Sequence, residues 1–441
     1  MIQANHKPQS PNYTEGVSGR EVWSWAMYDF ANSGYTTVVI TAIFNAYFVS
    51  VIANNEDWGT FAWTASLAVS YLLIILTAPV MGAYADAYAM KKPLLLITTV
   101  GCVMFTALLY FTGPGDLWLA ILLIVLTNFF FGSGENLIAA FLPELAKSKS
   151  LGKVSGWGWG LGYLGGLFSL ACCLAYVTWA QSHNHNADQY VPVTMLITAV
   201  IFAFACIPTF LFLKERAKPQ PHLYGRRIAY ESFSRLKNTL KHVRHYQDLM
   251  RFLVCLVFYQ AGIQTVIALA AIYAQQAMGF DTQETLVLIL LVNITAALGA
   301  FAFGYIQDKL GHLRTIAITL FGWIMMILLL AWFAEDRTLF WFAANLAGLC
   351  LGASQSAGRA LVGLFSPVSR RAEFFGLWGL AVKLSSILGP LTYGWVSWIS
   401  AGDHRLAMLI TGSYFVIGLL ILMRIDIARG EQAALHDPEN H

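Results

Sequence analysis

Four ionisable side chains lie well inside long apolar stretches of this 441-residue chain. Two are acids, Asp29 and Glu135, in the amino-terminal half, and two are bases, Arg359 and Lys383, in the carboxy-terminal half. A charge at the centre of a lipid bilayer costs about 2.5–3.5 kcal/mol on insertion scales. We therefore expect all four to face protein or water, and their signs predict pairing between the halves.

Helical geometry places three of these charges at one depth. At 1.5 Å per residue, Asp29, Glu135 and Arg359 lie roughly 10 Å below the same membrane face, and Lys383 lies nearer 14 Å. The hypothesis is a charge network between the halves that binds a zwitterionic or anionic solute or forms a gate. A static salt bridge between helices is the alternative interpretation.

The first apolar stretch carries a polar stripe beside its acid. Tyr28, Asp29 and Asn32 fall within an arc of roughly 120° on a helix, which predicts that they face a cavity. Asn136 follows Glu135 and joins this candidate substrate-binding and coupling set. Asp29 or Glu135 could also carry a proton, with Asp29 favoured. A structural tie from Asp29 to Asn32 or to a neighbouring helix is the alternative.

The composition is that of a membrane protein. Hydrophobic residues make up 57% and charged residues only 12% of the chain, and the mean hydropathy is +0.60, whereas soluble proteins carry roughly 25% charged residues. The net charge of +3 does not indicate nucleic-acid binding. The six cysteines lie in apolar runs, and the sequence predicts no disulfide, metal site or cofactor. It contains no nucleophile and base in a soluble domain, so we predict no enzyme activity.

Hydropathy predicts an all-α integral membrane protein of twelve transmembrane helices in two pseudo-symmetric six-helix halves. The predicted order is a tail at 1–22, an amino-terminal half at 23–213, a basic linker at 214–248, a carboxy-terminal half at 249–425 and a tail at 426–441. Apolar residues at helical spacing in the linker predict a basic amphipathic helix on the membrane surface. A calmodulin-type target is the alternative.

Basic residues are distributed very unevenly over the predicted loops. Twenty-two Lys and Arg lie on the side that carries the amino terminus, and only Arg337 and Arg405 lie on the other. The positive-inside rule therefore places both termini and the linker in the cytosol.

A glycine–aspartate motif recurs after the second helix of each half. The predicted gating residues are Gly82 and Asp86 in the first half, and Gly304, Asp308, Lys309, Gly311 and Arg314 in the second. Glycine lets a neighbouring helix approach, and the aspartate can hold a helix N-terminus or an arginine in one conformation only. Duplication in the same sense, with six spans in each half, fits a parallel repeat.

A run of glycines marks the predicted fifth helix, including Gly158, Gly162, Gly165 and Gly166. Small residues at this spacing allow close contact between helix backbones. We expect the glycine-bearing surface of this helix to lie at the interface between the halves.

At these motifs the chain resembles the major facilitator superfamily and, more narrowly, the vacuole effluxer family, with its autophagy-related vacuolar amino-acid effluxers and bacterial relatives. The resembling segments are 25–33, 136–144, 155–166, 359–367 and 373–376, with Lys383, Gly389 and Pro390. The first glycine–aspartate motif departs from the superfamily pattern, because Ala87 replaces the usual base and Met90 the usual glycine.

The resemblance implies a secondary active transporter that moves a small solute by alternating access between the halves, with an amino acid as the favoured substrate and efflux as the favoured direction. Protons and membrane lipid are the other expected partners, and we expect a monomer. A bacterial inner membrane is favoured over a vacuole. The alternatives are a lipid or lysophospholipid flippase on the same fold, or a transporter-like sensor acting through its linker.

Overall fold

The computed structural model describes residues 14–145, 151–216, 246–332, 336–365 and 371–435, without some side chains inside the helices. Twelve long helices follow one another in this part of the chain. They are α1 (Gly19–Tyr35), α2 (Gly59–Tyr88), α3 (Lys91–Leu108), α4 (Leu117–Ala139), α5 (Leu151–Ser182), α6 (Ala187–Phe212), α7 (Gln247–Gln276), α8 (Thr282–Leu310), α9 (His312–Trp332), α10 (Arg337–Phe365), α11 (Arg371–Ile399) and α12 (His404–Leu422). A short helix, α13 (Ile427–Leu435), follows.

Ten of the twelve are long and apolar enough to cross a membrane, counted over the described residues. The other two are α10 and α11, the helices that carry Arg359 and Lys383. The exact number of spans therefore stays a prediction. We call the membrane face at which α1 begins the terminal face, and the other the opposite face.

The first span is longer and less regular than predicted. It begins at Gly19 and not at residue 23, because Ser18 caps it and accepts a hydrogen bond from the Glu21 amide at 3.3 Å. Beyond Tyr35 it continues as π-helical turns over Thr36–Ala42 and Phe48–Ile52, separated by a short α-helical turn. Such turns inside α-helices frequently mark functional sites.

The two halves, α1–α6 and α7–α12, repeat the same helix packing. In the first half α1 packs on α5 and α6, α3 on α4 and α6, and α2 on α4. In the second half α7 packs on α11 and α12, α9 on α10 and α12, and α8 on α10. The halves meet mainly where α2 packs on α11, α5 on α8, and the irregular part of the first span on α7.

Gly158, Gly162, Gly165 and Gly166 of α5 lie against α1 and its continuation within the first half, so the expectation that this surface forms the interface between the halves is wrong. A β-carbon at Gly162 would lie 3.3 Å from the Asp29 carbonyl oxygen, and Gly165 lies directly over the Phe30 carbonyl. Gly389 of α11 lies over the Ala261 carbonyl of α7 in the same way. Glycines on the fifth helix of each half thus allow this helix to pack closely on the first helix of the same half.

Candidate functional site

Glu135 and Lys383 form an ion pair between the two halves. The Lys383 Nζ atom on α11 donates to Glu135 Oε2 on α4 at 2.6 Å. The lysine side chain is 14% exposed and the glutamate side chain 44% exposed. The pair is therefore sheltered on the lysine side and open on the glutamate side.

Neighbouring side chains leave space for this amine. Its Nζ atom lies 5.6 Å from the centre of the Tyr71 ring of α2, which favours a cation electrostatically. A β-carbon at Gly132, one turn before Glu135, would lie 3.8 Å from the same nitrogen and would collide with Ile74. The absence of a side chain at Gly132 thus lets α2, α4 and Lys383 meet.

Asp29 lies on another side of the first span. A β-carbon at Gly158 of α5 would collide with its Oδ2 atom, so the carboxylate packs on that glycine within the first half. This placement corresponds to the alternative of a tie to a neighbouring helix. The proposed role of Asp29 in proton transfer stays a prediction.

Tyr28 points away from Asp29, because adjacent residues on a helix point about 100° apart. The Tyr28 hydroxyl is buried among the helices of the first half, where it hydrogen-bonds Thr99 Oγ1 of α3 at 2.8 Å and lies over Gly134 of α4. Asn32 is also buried, and its Oδ1 atom lacks a hydrogen-bond partner in the described structure.

Arg359 lies in α10, but its side chain is outside the described part of the structure. The same holds for four predicted gating positions, Asp86, Gly304, Asp308 and Lys309. Of the predicted four-charge network, the structure describes one contact, between Glu135 and Lys383. The roles of Arg359 and of these gating residues stay predictions.

A cavity of about 70 Å³ lies between α2 and α4 at the terminal face. Gly82 and Asn136 line it with Ser133 and Lys91. Among the described atoms, none lies within 4 Å of a β-carbon placed at Gly82, so no described helix packs on this glycine in the present conformation. Gly311 ends α8 with a φ of 86°, which favours glycine, and Arg314 is exposed.

The opposite face is closed by uncharged contacts between the halves. At Gly394 of α11, a β-carbon would lie 3.0 Å from the Phe61 Cα atom of α2. The Phe61 and Trp398 rings stack with centres 5.1 Å apart. Asn45 donates to the Ala268 carbonyl at 3.2 Å, and the Tyr190 hydroxyl donates to Thr282 Oγ1 at 3.0 Å.

Two buried carboxylates at the terminal face were not predicted from the sequence. Glu21, in the first turn of α1, accepts from the Lys214 amide and from both terminal nitrogens of Arg216, just after α6. Asp248, at the start of α7, accepts from the Asp426 amide and from the Arg429 guanidinium, just after α12. Each half thus ties its first helix to the segment after its sixth.

These two ties, which we call the Glu21 clamp and the Asp248 clamp, occupy matching positions in the repeat. Hydrogen bonding to the carboxylates raises the pKa of the Arg216 and Arg429 guanidinium groups. The sequence does contain a signal for these two clamps. Each half has an acidic residue in the first turn of its first helix and an arginine after its sixth helix.

Comparison with known proteins decides the family. The family model described as "Vacuole effluxer Atg22 like" matches residues 57–435. The chain belongs to this family. A Bacillus subtilis relative of this chain, described as an uncharacterized MFS-type transporter, YxiO, is 28% identical over 407 residues, covering 90% of this chain and 93% of the relative.

Autophagy-related protein 22-1 of Aspergillus niger is 26% identical over 305 residues, covering 64% of this chain. The match covers 48% of that fungal protein, so the chain spans about half of its length.

Solved transporter structures share the fold. The inward-open xylose transporter XylE from E. coli superposes with a TM-score of 0.67 at 14% identity, covering 92% of this chain and 96% of XylE. A bacterial homologue of the lysosomal transporter Spinster, in an inward-facing and unoccupied conformation, gives 0.67 at 12% identity, covering 95% and 98%.

The predicted family and the predicted major facilitator fold are confirmed. The protein is a multi-pass integral membrane transporter of the major facilitator type and not an enzyme. Its transporter relatives imply a small-molecule solute.

Proposed function

We propose that this Atg22-like protein is a secondary active transporter that moves a small zwitterionic or anionic solute, with an amino acid as the favoured class, by alternating access. The observation that carries the proposal is the Glu135–Lys383 ion pair between the halves. The pair offers the solute one negatively and one positively charged group, between the halves on the path that the solute must take.

The pair suits a zwitterion for an energetic reason. Lys383 is the sheltered partner, so removing Glu135 from it would leave a largely buried charge uncompensated, which is destabilising. A zwitterionic solute avoids this cost, since its carboxylate can take Lys383 while its ammonium takes Glu135. The 44% exposure of the glutamate side chain lets such an exchange begin there.

The arrangement of contacts fits one stage of alternating access. The halves touch at the opposite face, whereas the cavity beside Gly82 lies at the terminal face. We propose that the terminal face is cytosolic, in a bacterial plasma membrane, because the basic residues concentrate there. The conformation is then inward-facing, and the favoured direction of net transport is efflux.

Proton coupling belongs to the same proposal. Glu135 is the carboxylate that exchanges between Lys383 and the solute, so it is our first candidate for the proton carrier, with Asp29 as the second. Uptake driven by a pH gradient, compared between wild type, Glu135→Gln and Asp29→Asn, distinguishes the two.

The test is a solute panel in proteoliposomes containing the full-length protein. Glu135→Gln and Lys383→Met should each lower flux of a zwitterionic amino acid by about tenfold or more, which corresponds to about 1.4 kcal/mol. Glu284→Gln is the matched control, since it removes an exposed ion pair with Arg337 at the opposite face.

Wild-type flux in both charge variants would contradict the proposal. Movement of a lipid analogue without amino-acid flux would replace it with a flippase. Solute binding without flux of any kind would replace it with a sensor.

A further inference from the structure

A second, smaller cavity lies between the halves beside the ion pair. It measures about 30 Å³ and is lined by groups from α7, α11, α2 and the π-helical part of the first span, among them Thr36, Tyr71, Gln264, Ser386 and Pro390. Tyr71 connects it to the charged site, because the same ring lies 5.6 Å from the Lys383 Nζ atom. None of the lining residues carries a formal charge.

Two hydroxyl oxygens of this cavity can accept hydrogen bonds. Thr36 Oγ1 donates its hydrogen to the Asn32 carbonyl at 3.1 Å, and Ser386 Oγ donates to the Val382 carbonyl at 3.0 Å. A hydroxyl has one hydrogen and two lone pairs, so both oxygens keep lone pairs for another partner.

Backbone irregularity adds a further oxygen. Pro390 has no N–H group, so the Ser386 carbonyl loses its regular helical donor. Gln264 also lines the cavity, and its side-chain amide oxygen can act as a further acceptor. In transporters, interrupted helices near the midplane use such oxygens to hold sodium ions or protons.

We propose that this cavity binds a small monovalent cationic group, either a free sodium ion or the ammonium group of the solute. Neutral oxygens can replace the hydration shell of a monovalent cation. A volume of about 30 Å³ admits an ion or an ammonium group but no complete solute. The inference rests on the proposed function, in which the neighbouring Lys383 charge is offset by Glu135 or by the solute carboxylate.

This arrangement makes cation binding in the cavity depend on the Glu135–Lys383 ion pair. While a carboxylate neutralises the Lys383 charge, a cation one helical turn away is tolerated. When no carboxylate contacts Lys383, the two positive charges repel each other. The cavity also draws its walls from both halves, so it exists as a site only while these helices are together.

The first experiment measures binding without transport. Thermal unfolding of the purified full-length protein is followed in sodium, potassium and choline chloride at equal ionic strength. Sodium should raise the Tm of wild type, and Ser386→Ala or Gln264→Leu should raise the sodium concentration for half-maximal stabilisation about tenfold. Ser385→Ala is the control, since this neighbouring hydroxyl donates to the Ala381 carbonyl at 2.7 Å and does not line the cavity.

The second experiment separates the two cation sources. Proteoliposome flux of an amino acid is compared with that of its N-acetylated analogue in sodium-free buffer. A preference for the free amine that falls in Ser386→Ala and Gln264→Leu, but not in Ser385→Ala, assigns the cavity to the solute ammonium.

No effect of sodium on the wild-type Tm, together with an unchanged amine preference in both variants, would overturn the inference and leave water as the only occupant. Failure of the proposed function is a separate result: it appears as wild-type flux in both Glu135→Gln and Lys383→Met and does not alter the sodium-binding readout in wild type.

Discussion

The two membrane faces of this protein are held together in different ways. At the opposite face the main described contacts between the halves are uncharged: a glycine against a helix backbone, stacked rings and neutral hydrogen bonds. The Glu284–Arg337 ion pair at this face is exposed and lies within the second half. At the terminal face the strong contacts are buried carboxylates paired with arginines, and they run within each half.

This difference has a physical meaning for a protein that must open and close. Breaking a buried ion pair leaves an uncompensated charge and costs several kcal/mol, whereas a neutral hydrogen bond contributes only about 0.5–1.5 kcal/mol net. Links within a half can be permanent and therefore strong. Links between halves break in every transport cycle and are therefore weak, apart from the Glu135–Lys383 pair, whose partners the solute can replace.

The largest effect is expected at Gly394. Gly394→Val places side-chain atoms where the α2 backbone lies, so the halves can no longer meet at the opposite face. We expect flux to fall by about a hundredfold or more, since such overlap costs more than about 3 kcal/mol.

Accessibility of a cysteine placed at Thr60 should rise in the same variant, which separates an open gate from a misfolded protein. Gly160→Val on α5 is the control, because a β-carbon there meets none of the described atoms within 4 Å. Normal flux in Gly394→Val would show that the halves do not meet at this point.

A smaller effect is expected at the Glu21 clamp. Glu21→Gln removes the charge that holds Arg216 and the Lys214 amide, so the free energy of unfolding should fall by about 1–3 kcal/mol. Flux per folded molecule should stay close to wild type. The measurement is thermal unfolding combined with flux normalised to folded protein.

Asp248→Asn should lower the Tm in the same direction, because the two clamps are equivalent in the repeat. Glu56→Gln, an exposed carboxylate at the opposite face, is the control and should leave the Tm unchanged. A clamp variant that keeps its Tm but loses flux would assign the clamps to gating.

The smallest effect is expected from Asn45. Asn45→Ala removes a hydrogen bond to the Ala268 carbonyl between the halves and leaves that carbonyl without its side-chain donor. We expect a shift of at most about tenfold between the inward- and outward-facing populations, from a loss of about 1 kcal/mol. Spin labels across the opposite face measure this shift, and a large loss of protein stability would contradict it.

Sequence patterns predicted the helices, the duplication and the opposite charges of Glu135 and Lys383, because hydropathy and charge signs are visible residue by residue. They did not predict where Asp29 points, since the π-helical turns and the α5 glycines decide which neighbour α1 meets. The clamps were also missed, because Glu21 and Arg216 are far apart in sequence and only the packing of α6 on α1 brings them together.

Cysteine cross-linking tests the central distinction between the faces most directly, in a full-length protein whose six native cysteines have been replaced. A reducible thiol cross-linker that joins Phe61→Cys to Trp398→Cys should abolish flux until it is reduced, since this contact must open in every cycle. The same cross-linker between Glu21→Cys and Arg216→Cys should leave flux intact. Normal flux in the cross-linked 61–398 protein, or loss of flux in the cross-linked 21–216 protein, would contradict the account.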